Sequence, residues 1–480
     1  MEAIKLAGLE PAPVFGYFEE ICAIPHGSKN TKMISDYLVA FAKEHDLRYI
    51  QDEVNNVILF GEGTCGMEDH APVILQGHMD MVCEKDADCT IDMTAEGLDV
   101  AHDGQCVFAK GTTLGGDDGI AIAYALALLA DTTIPHPPLE VIITVDEEIG
   151  MLGADAIDLS ELKGRTLINL DSEDEGVFTV SCAGGATATI SLPVDRRAVY
   201  GPCIRLNVDG LQGGHSGAEI HKNRANANKV MGEFLSRIQK IMPLCLTSLA
   251  GGSKDNAIPR SCQVTAVAMG IHLERINAIA EELQAEIRET YDEPEATVQA
   301  FDVDALGGNS LSTESTAKVI GLLCAAPNGV QCWSQDIEGL VQTSLNMGII
   351  KLGERFSATF SVRSSVNSEK QELLEQLKTL AGFYDGAYSQ MAEYPAWEFK
   401  KESHLRDTMV RIYQEMFEKE PEVVAIHAGL DCGLLGEKLQ GLDCVSIGPQ
   451  MHDIHTSRER LEIASTGRTW DFLLEVLKNL

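Results

Sequence analysis

Residues 137–148 read PPLEVIITVDEE. An apolar, β-branched run with prolines before it and acids after it predicts a buried strand. The run stops on three adjacent carboxylates, Asp146, Glu147 and Glu148, which repel one another. Successive side chains of a strand point to opposite faces. The strand must therefore end at this point if Glu147 and Glu148 are to converge on one site. Ile149-Gly150, immediately after, allows that turn.

Working outward, the same texture recurs. NNVILFGEG (55–63), APVILQGHMD (71–80) and GRTLINLDSEDEG (164–176) predict strands, as do PEVVAIHAGLDCG (421–433) and LDCVSIGPQ (442–450). GYFEEICAIP, TKMISDYLVAFAKEHDL and TGRTWDFLLEVLKNL predict helices. GIAIAYALALLAD (119–131) is apolar on most faces and predicts an internal helix. Short buried strands alternating with helices define an α/β protein with a sheet covered on both faces.

From about Gly184 to about Pro395 the elements are longer and more exposed. ANANKVMGEFLSRIQKIM and HLERINAIAEELQAEIRETY predict helices, and RFSATFSVRSS alternates like a half-buried strand. At 480 residues the chain exceeds one ordinary core. The expected organisation is one domain built from residues 1–184 and 397–480, with residues 185–396 inserted.

Composition narrows the partners. Acids outnumber bases 73 to 37, for a formal charge of −36, which repels phosphate backbones and argues against nucleic acid. No apolar run reaches about 18 residues, so no membrane span is expected. The first 20 residues do not read as a secretory signal. The 13 cysteines include no CxxC pair, which suits a reduced, cytoplasmic protein with free thiols and gives no support to a thiolate metal site.

Acids and imidazoles follow the strand-like runs directly: His78 and Asp80, Glu147 and Glu148, Asp171, His455. Asp117 and Asp118 lie in TTLGGDDGIA, a glycine-rich turn entering the internal helix, where a capping role also explains an Asp. In open α/β sheets ligands bind at the carboxyl ends of strands. In HMD, Asp80 is placed to hold the second imidazole nitrogen of His78, as a carboxylate does behind a metal-bound His. N and O donors without Cys suit zinc, with manganese or cobalt as alternatives. If two divalent ions share Asp117, one with His78 and Asp171 and the other with Glu148 and His455, three carboxylates and one bridging hydroxide neutralise them. Such a pair polarises a carbonyl and generates hydroxide near neutral pH.

GHMD (77–80), GTTLGGDDG (111–119), TVDEEIGMLGA (144–154), NLDSE (169–173) and IHTSRERLEI (454–463) together resemble the co-catalytic zinc metallopeptidases of the carboxypeptidase G2 and dipeptidase type. CAIPHGSKN, CEKD, GGHSGAEIHKNRANANK and AIHAGLDCGLLGEKLQGLDCVSIGP extend the likeness over essentially the whole chain, toward the aminoacyl-histidine (Xaa-His) dipeptidases. The resemblance implies a three-layer αβα catalytic domain with an inserted α/β lid. It implies His78, Asp117, Glu148, Asp171 and His455 as ligands of two zinc ions, Asp80 orienting His78, and Glu147 as general base. His215 in GGHSG would stabilise the oxyanion, Asn256 in DNAIPR would contact substrate, and Arg363 in FSVRSS would clamp a free carboxylate. These three can serve only if the lid closes. Asp118, where relatives often carry Asn, receives no ligand role. His452 reads as a loop histidine, and His427 stays open between pocket and scaffold.

The expected activity is hydrolysis of unblocked dipeptides, preferentially Xaa-His such as β-alanyl-histidine, by dimetal-bound hydroxide with Glu147 as base. A tripeptidase or N-acyl-amino-acid deacylase would keep the chemistry and change the substrate. A non-catalytic metal-stabilised binding protein would show a damaged set, yet all six groups are present. The expected partner is a small peptide, with a homodimer as the possible oligomer.

Overall fold

The computed structural model describes residues 5–268, 270, 273–304 and 307–480. The chain divides into two compact units. One comprises residues 1–182, 399–425 and 430–480, and the other residues 183–398 and 426–429.

The first unit is built on an eight-stranded sheet. Its strands are β1 (Arg48–Gln51), β2 (Val57–Gly61), β3 (Val73–His78), β4 (Leu139–Thr144), β5 (Thr166–Asn169), β6 (Val177–Cys182), β7 (Glu422–Ile426) and β8 (Asp443–Ser446). Their order across the sheet is β1-β2-β4-β3-β5-β8-β6-β7. The central strands β4, β3, β5 and β8 run parallel. Their carboxyl ends therefore share one edge. β3 and β4 are buried at every position, so both faces of the sheet are covered, giving the three-layer α/β/α arrangement. The first helices are α1 (Ala12–Cys22), α2 (Lys32–Glu44) and α3 (Gly116–Ala130); α1 packs on α3, and α3 packs on β3. All of α3 except Ala130 is buried, as expected of a helix apolar on every side.

The second unit holds a nine-stranded antiparallel sheet. Val341–Leu352 and Arg355–Ser364 lie at its middle, and Ala387–Tyr394 forms one edge. Helices Ala227–Gln239, Leu273–Tyr291, Thr313–Ala325 and Asn367–Phe383 accompany it. Phe234, Phe356 and Phe360 are fully buried in its core. The helix expected from His272 runs over Leu273–Tyr291, and His272 itself lies outside the described residues.

Two expectations are corrected. PEVVAIHAGLDCG is not one strand: β7 ends at Ile426 and a helix opens at Asp431, running to Lys438. Residues 426–429, assigned by sequence to the catalytic part, pack instead with the second unit. The Ala183 N–H donates to the carbonyls of Ile426 and Ala428 at 3.1 and 3.0 Å. Among the described residues no helix is long and apolar enough to cross a membrane.

Candidate active site

Four parallel strand ends deliver the site in the first unit. β3 ends on His78, β4 ends just before the acid triplet, β5 ends two residues before Asp171, and the chain leaving β8 reaches His455. Asp117 enters from the first turn of α3.

Asp117 divides its two oxygens between two imidazoles. Oδ1 lies 3.1 Å from His78 Nε2, and Oδ2 lies 3.1 Å from His455 Nε2. Asp171 Oδ1 is 3.5 Å from His78 Nε2, and Glu148 Oε1 is 2.8 Å from His455 Nε2. The pairings expected from sequence, His78 with Asp171 and His455 with Glu148, are those the structure brings together. Atoms of His78, Asp117 and Glu148 all lie within 4.8 Å of one another, as do atoms of His78, Asp118 and Asp171. The side chains of His78, Asp117, Asp171 and Glu148 are buried, while that of His455 is 44% exposed.

The chemistry of the donor set fits cations. His78 Nδ1–H donates to the Asp80 carbonyl at 2.9 Å. That fixes the tautomer and turns a lone pair on Nε2 toward two carboxylates. Acceptors facing acceptors in a buried place are stable only with protons or metal between them. Burial pushes the Asp171 carboxyl up to about 7. Burial works against ionised Asp117 too, but hydrogen bonds with His455 and His78 hold its carboxyl below the usual range. The hydrogen bonds of Asp117 and Glu148 raise the His455 imidazole to about 10. These are the charge stresses a divalent cation relieves.

Asp80 behaves differently from the sequence reading. It orients His78 through its main-chain carbonyl, and its carboxylate stays 3.6 Å from Nδ1. The carboxylate instead accepts Ser28 Oγ–H at 2.8 Å and the Glu147 N–H at 3.0 Å. The strand has already ended at His78, so Asp80 no longer shares the strand face assumed for it.

The acid triplet sits on a turn. Asp146 takes φ +55°, and its Oδ1 accepts the Lys29 N–H at 2.6 Å, away from the cluster. The Glu147 carbonyl accepts the N–H groups of Gly150 and Met151 at 2.9 Å each. Burial pushes the Glu147 carboxyl well above the normal range. Beneath the cluster runs a buried polar rung. Thr144 and Gln76 donate to Asp431 Oδ2, and Asn169 donates to Gln76. Gln76 shares a strand face with His78, and Asn169 stands two residues before Asp171, at the end of β5.

Asp118 accepts the His78 N–H at 3.1 Å. His452 lies outside the cluster, paired with Glu462 at 2.8 Å. The sequence reading did not single out Glu173, Asp431 and Glu459. Glu173 is pushed up to about 8 by burial, with Asp117 and Asp171 as charged neighbours. Asp431 and Glu459 are buried acids distant in sequence from what they touch. No spacing rule flags them.

In the second unit His215, Asn256 and Arg363 are also brought together. His215 pairs with Ala257 across a short two-stranded ladder, next to Asn256. The Ser216 N–H donates to the Asn256 carbonyl at 2.9 Å. A Cβ on Gly217 would lie 3.0 Å from the His215 ring and 3.2 Å from Arg363 Nε, so these two side chains flank a residue that has none. His215 Nδ1 accepts the N–H groups of Gly217 and Ala218 at 3.2 and 3.0 Å. Its proton is therefore on Nε2. Arg363 Nη1 donates to Tyr394 at 3.2 Å, and its buried Nε has no partner among the described residues. His427 Nε2 and Ser344 Oγ are 2.7 Å apart, and burial and Arg363 lower its pKa to about 3.

A parallel-sheet edge that gathers imidazoles and carboxylates without thiols defines the class of metal-dependent hydrolases. Comparison with known proteins places the chain within that class. Residues 74–479 match peptidase family M20/M25/M40, and the chain belongs to that family. It is 36% identical over 481 residues to the cytosol non-specific dipeptidase of Escherichia coli (strain K12), covering 99% of each. It is 34% identical to the crystal structure of aminoacylhistidine dipeptidase from Vibrio alginolyticus, with TM-score 0.93 over 99% of this chain and 98% of that one. Aminopeptidase PepT from Bacillus cereus shares the fold at TM-score 0.55 and 15% identity. The protein is a peptidase.

Proposed function

We propose that the protein hydrolyses unblocked dipeptides, preferentially Xaa-His such as β-alanyl-histidine, at a centre of two divalent metal ions, zinc in the first instance. The observation that carries this is the division of Asp117 between His78 and His455 at 3.1 Å each, the arrangement a bridging carboxylate needs. In this reading His78 and Asp171 would hold one ion, Glu148 and His455 the other, and Asp117 would be shared by both. Ions held there would supply polarisation of the scissile carbonyl and a more acidic water.

The remaining work falls to the chain's own groups. Glu147, left out of the ligand set and held beside it by Asp80, takes a proton from water and returns it to the leaving amine. His215 presents Nε2–H as a neutral donor to the developing oxyanion. Burial and the Arg363 charge lower its pKa, which keeps the ring neutral. Arg363 clamps the free carboxylate and Asn256 contacts the substrate amide. These roles assign residues 185–396 the part of a lid on the catalytic domain of residues 1–184 and 397–480.

The relatives carry different names, one non-specific and one aminoacylhistidine, so preference for His is the finer part of the proposal. Thirteen free cysteines support a cytoplasmic setting. The exposed edge strand Ala387–Tyr394, with Met391 67% exposed, and Phe383, 78% exposed at the end of the helix Asn367–Phe383, support a homodimer. The test is metal analysis alongside hydrolysis of β-alanyl-histidine with and without chelator. A panel of dipeptides, tripeptides and acetyl-amino acids then separates dipeptidase from tripeptidase or deacylase. Activity that survives complete metal removal would overturn the reading.

A further inference from the structure

The loop that carries Asp117 is held by a carboxylate from the far end of the chain. Glu459 is 3% exposed. Its Oε2 accepts the N–H groups of Leu114 and Gly115 at 2.7 and 3.1 Å, and its Oε1 accepts those of Gly116 and Asp117 at 2.8 and 3.4 Å. These amides belong to the turn that enters α3, where Asp117 and Asp118 depart from helical φ/ψ, so their N–H groups need partners from outside the helix. Four successive amides can converge on one carboxylate only through a tight turn. Gly115 supplies it at φ +69°, a conformation side chains disfavour. A Cβ on Gly116 would stand 3.2 Å from Glu459 Oε1 and 3.1 Å from Met451 Sδ.

Glu459 also belongs to the segment that presents His455. It follows His455 by four residues, and its N–H donates to the Thr456 carbonyl at 3.1 Å. His455 itself holds φ +59°. One side chain therefore locks the turn bearing Asp117 to the turn bearing His455, and Asp117 Oδ2 and His455 Nε2 meet at 3.1 Å. A Gln in its place would keep one acceptor oxygen and turn an NH2 group toward two N–H donors.

We propose that Glu459 is the positioning residue that sets Asp117 between His78 and His455, and so sets the affinity of the centre for divalent cations. It acts through the backbone and touches no substrate. This rests on the reading of Asp117 as the shared metal ligand.

Three measurements test it. The first is Zn2+ affinity of metal-stripped protein, by competition with a chromophoric chelator. The second is hydrogen exchange at amides 114–117. The third is the separation of kcat from KM on β-alanyl-histidine. Glu459→Gln is expected to weaken Zn2+ binding at least about tenfold and to lower kcat similarly, leaving KM within about threefold. Glu459→Asp, which keeps the charge, is expected to recover part of the loss. Exchange at amides 114–117 is expected to be slow in stripped wild-type protein and fast in Glu459→Gln. Zn2+ affinity of Glu459→Gln within twofold of wild type would overturn the proposal, with the metal reading intact. Wild-type amides 114–117 exchanging as freely as exposed ones would overturn it even if the variant did not fold. Wild-type protein that binds no divalent metal would bring down the metal reading itself, and this proposal with it.

Discussion

The backbone N–H of Glu147 donates to Oδ1 of Asp80 at 3.0 Å. Through its carbonyl, Asp80 also fixes the tautomer of His78. One residue thus aligns the proposed base with a proposed ligand. Asp80→Ala keeps that carbonyl and removes the carboxylate that accepts the Glu147 N–H, so it is expected to lower kcat about tenfold while metal affinity stays within about threefold of wild type. Glu147→Gln should keep its metal and lose about 10²- to 10⁴-fold in kcat. Metal content and turnover measured on the same preparations check both. Near-wild-type turnover by Glu147→Gln would remove the base from the scheme.

Arg363 has a buried Nε–H with no partner among the described residues, beside an Nη1 already bound to Tyr394. Arg363→Lys cannot reproduce a bidentate fork. It is expected to raise KM for free dipeptides about 10- to 100-fold, the worth of a charge-assisted pair. The dipeptide amide lacks the carboxylate and should barely distinguish variant from wild type. An equal loss on both substrates would show that Arg363 does not bind the carboxylate.

His215 receives two backbone N–H groups on Nδ1, so its ring is expected to carry the proton on Nε2. Nitrogen chemical shifts of the labelled ring report this directly. His215→Ala should lower kcat about 10²- to 10³-fold, the usual cost of one oxyanion donor. A protonated Nδ1, or an effect confined to KM, counts against the donor role.

Stripping the metal should make stability pH-dependent in a defined direction. Folded Asp171 and Glu173 are raised to about 7 and about 8, each chiefly by burial. Their unfolded values are about 3.9 and 4.3. The folded state therefore keeps protons that the unfolded chain releases, and stability falls as pH rises from about 4 to about 8. His455, raised to about 10 by Asp117 and Glu148, acts in the same sense: its contribution is complete below about 6.5 and is lost as pH climbs through the folded value. The stripped protein is expected to melt on the order of 5 °C lower at about pH 8.5 than at about pH 6, and the gap to the loaded protein should widen with pH. Calorimetry of both forms checks this. A stripped protein whose melting point rises over that range would contradict the assigned environments.

The first unit was legible because its strands are short, mostly apolar runs ending on chemically distinctive residues. PVILQGH and LEVIITV read as buried strands because apolar residues fill both faces around the polar positions Gln76 and Glu140. The second unit was harder. Its central strand Val341–Leu352 buries Thr343, Ser344 and Asn346, so polar residues occupy inward positions and the alternation is lost. HAGLDCG looked like the end of a strand because apolar residues lead to Gly. In the fold Asp431 begins a helix and accepts hydrogen bonds from Thr144 and Gln76, partners nearly 300 residues away or more. Residues that act on the backbone of a remote segment, as Glu459 does, leave no local pattern to read.

Strand β8 lies between β5 and β6, although β6 follows β5 directly in the chain. While a ribosome builds the second unit, the sheet of the first therefore has an open slot, flanked by two unpaired strand edges. The slot closes only when residues 443–446 emerge, and His455 emerges later still. A growing or prematurely terminated polypeptide thus has neither a sealed sheet nor a full set of ligands. Newly made chains should be inert toward peptides until residues 443–455 have been made, and fragments stalled before them should be prone to sticking to one another.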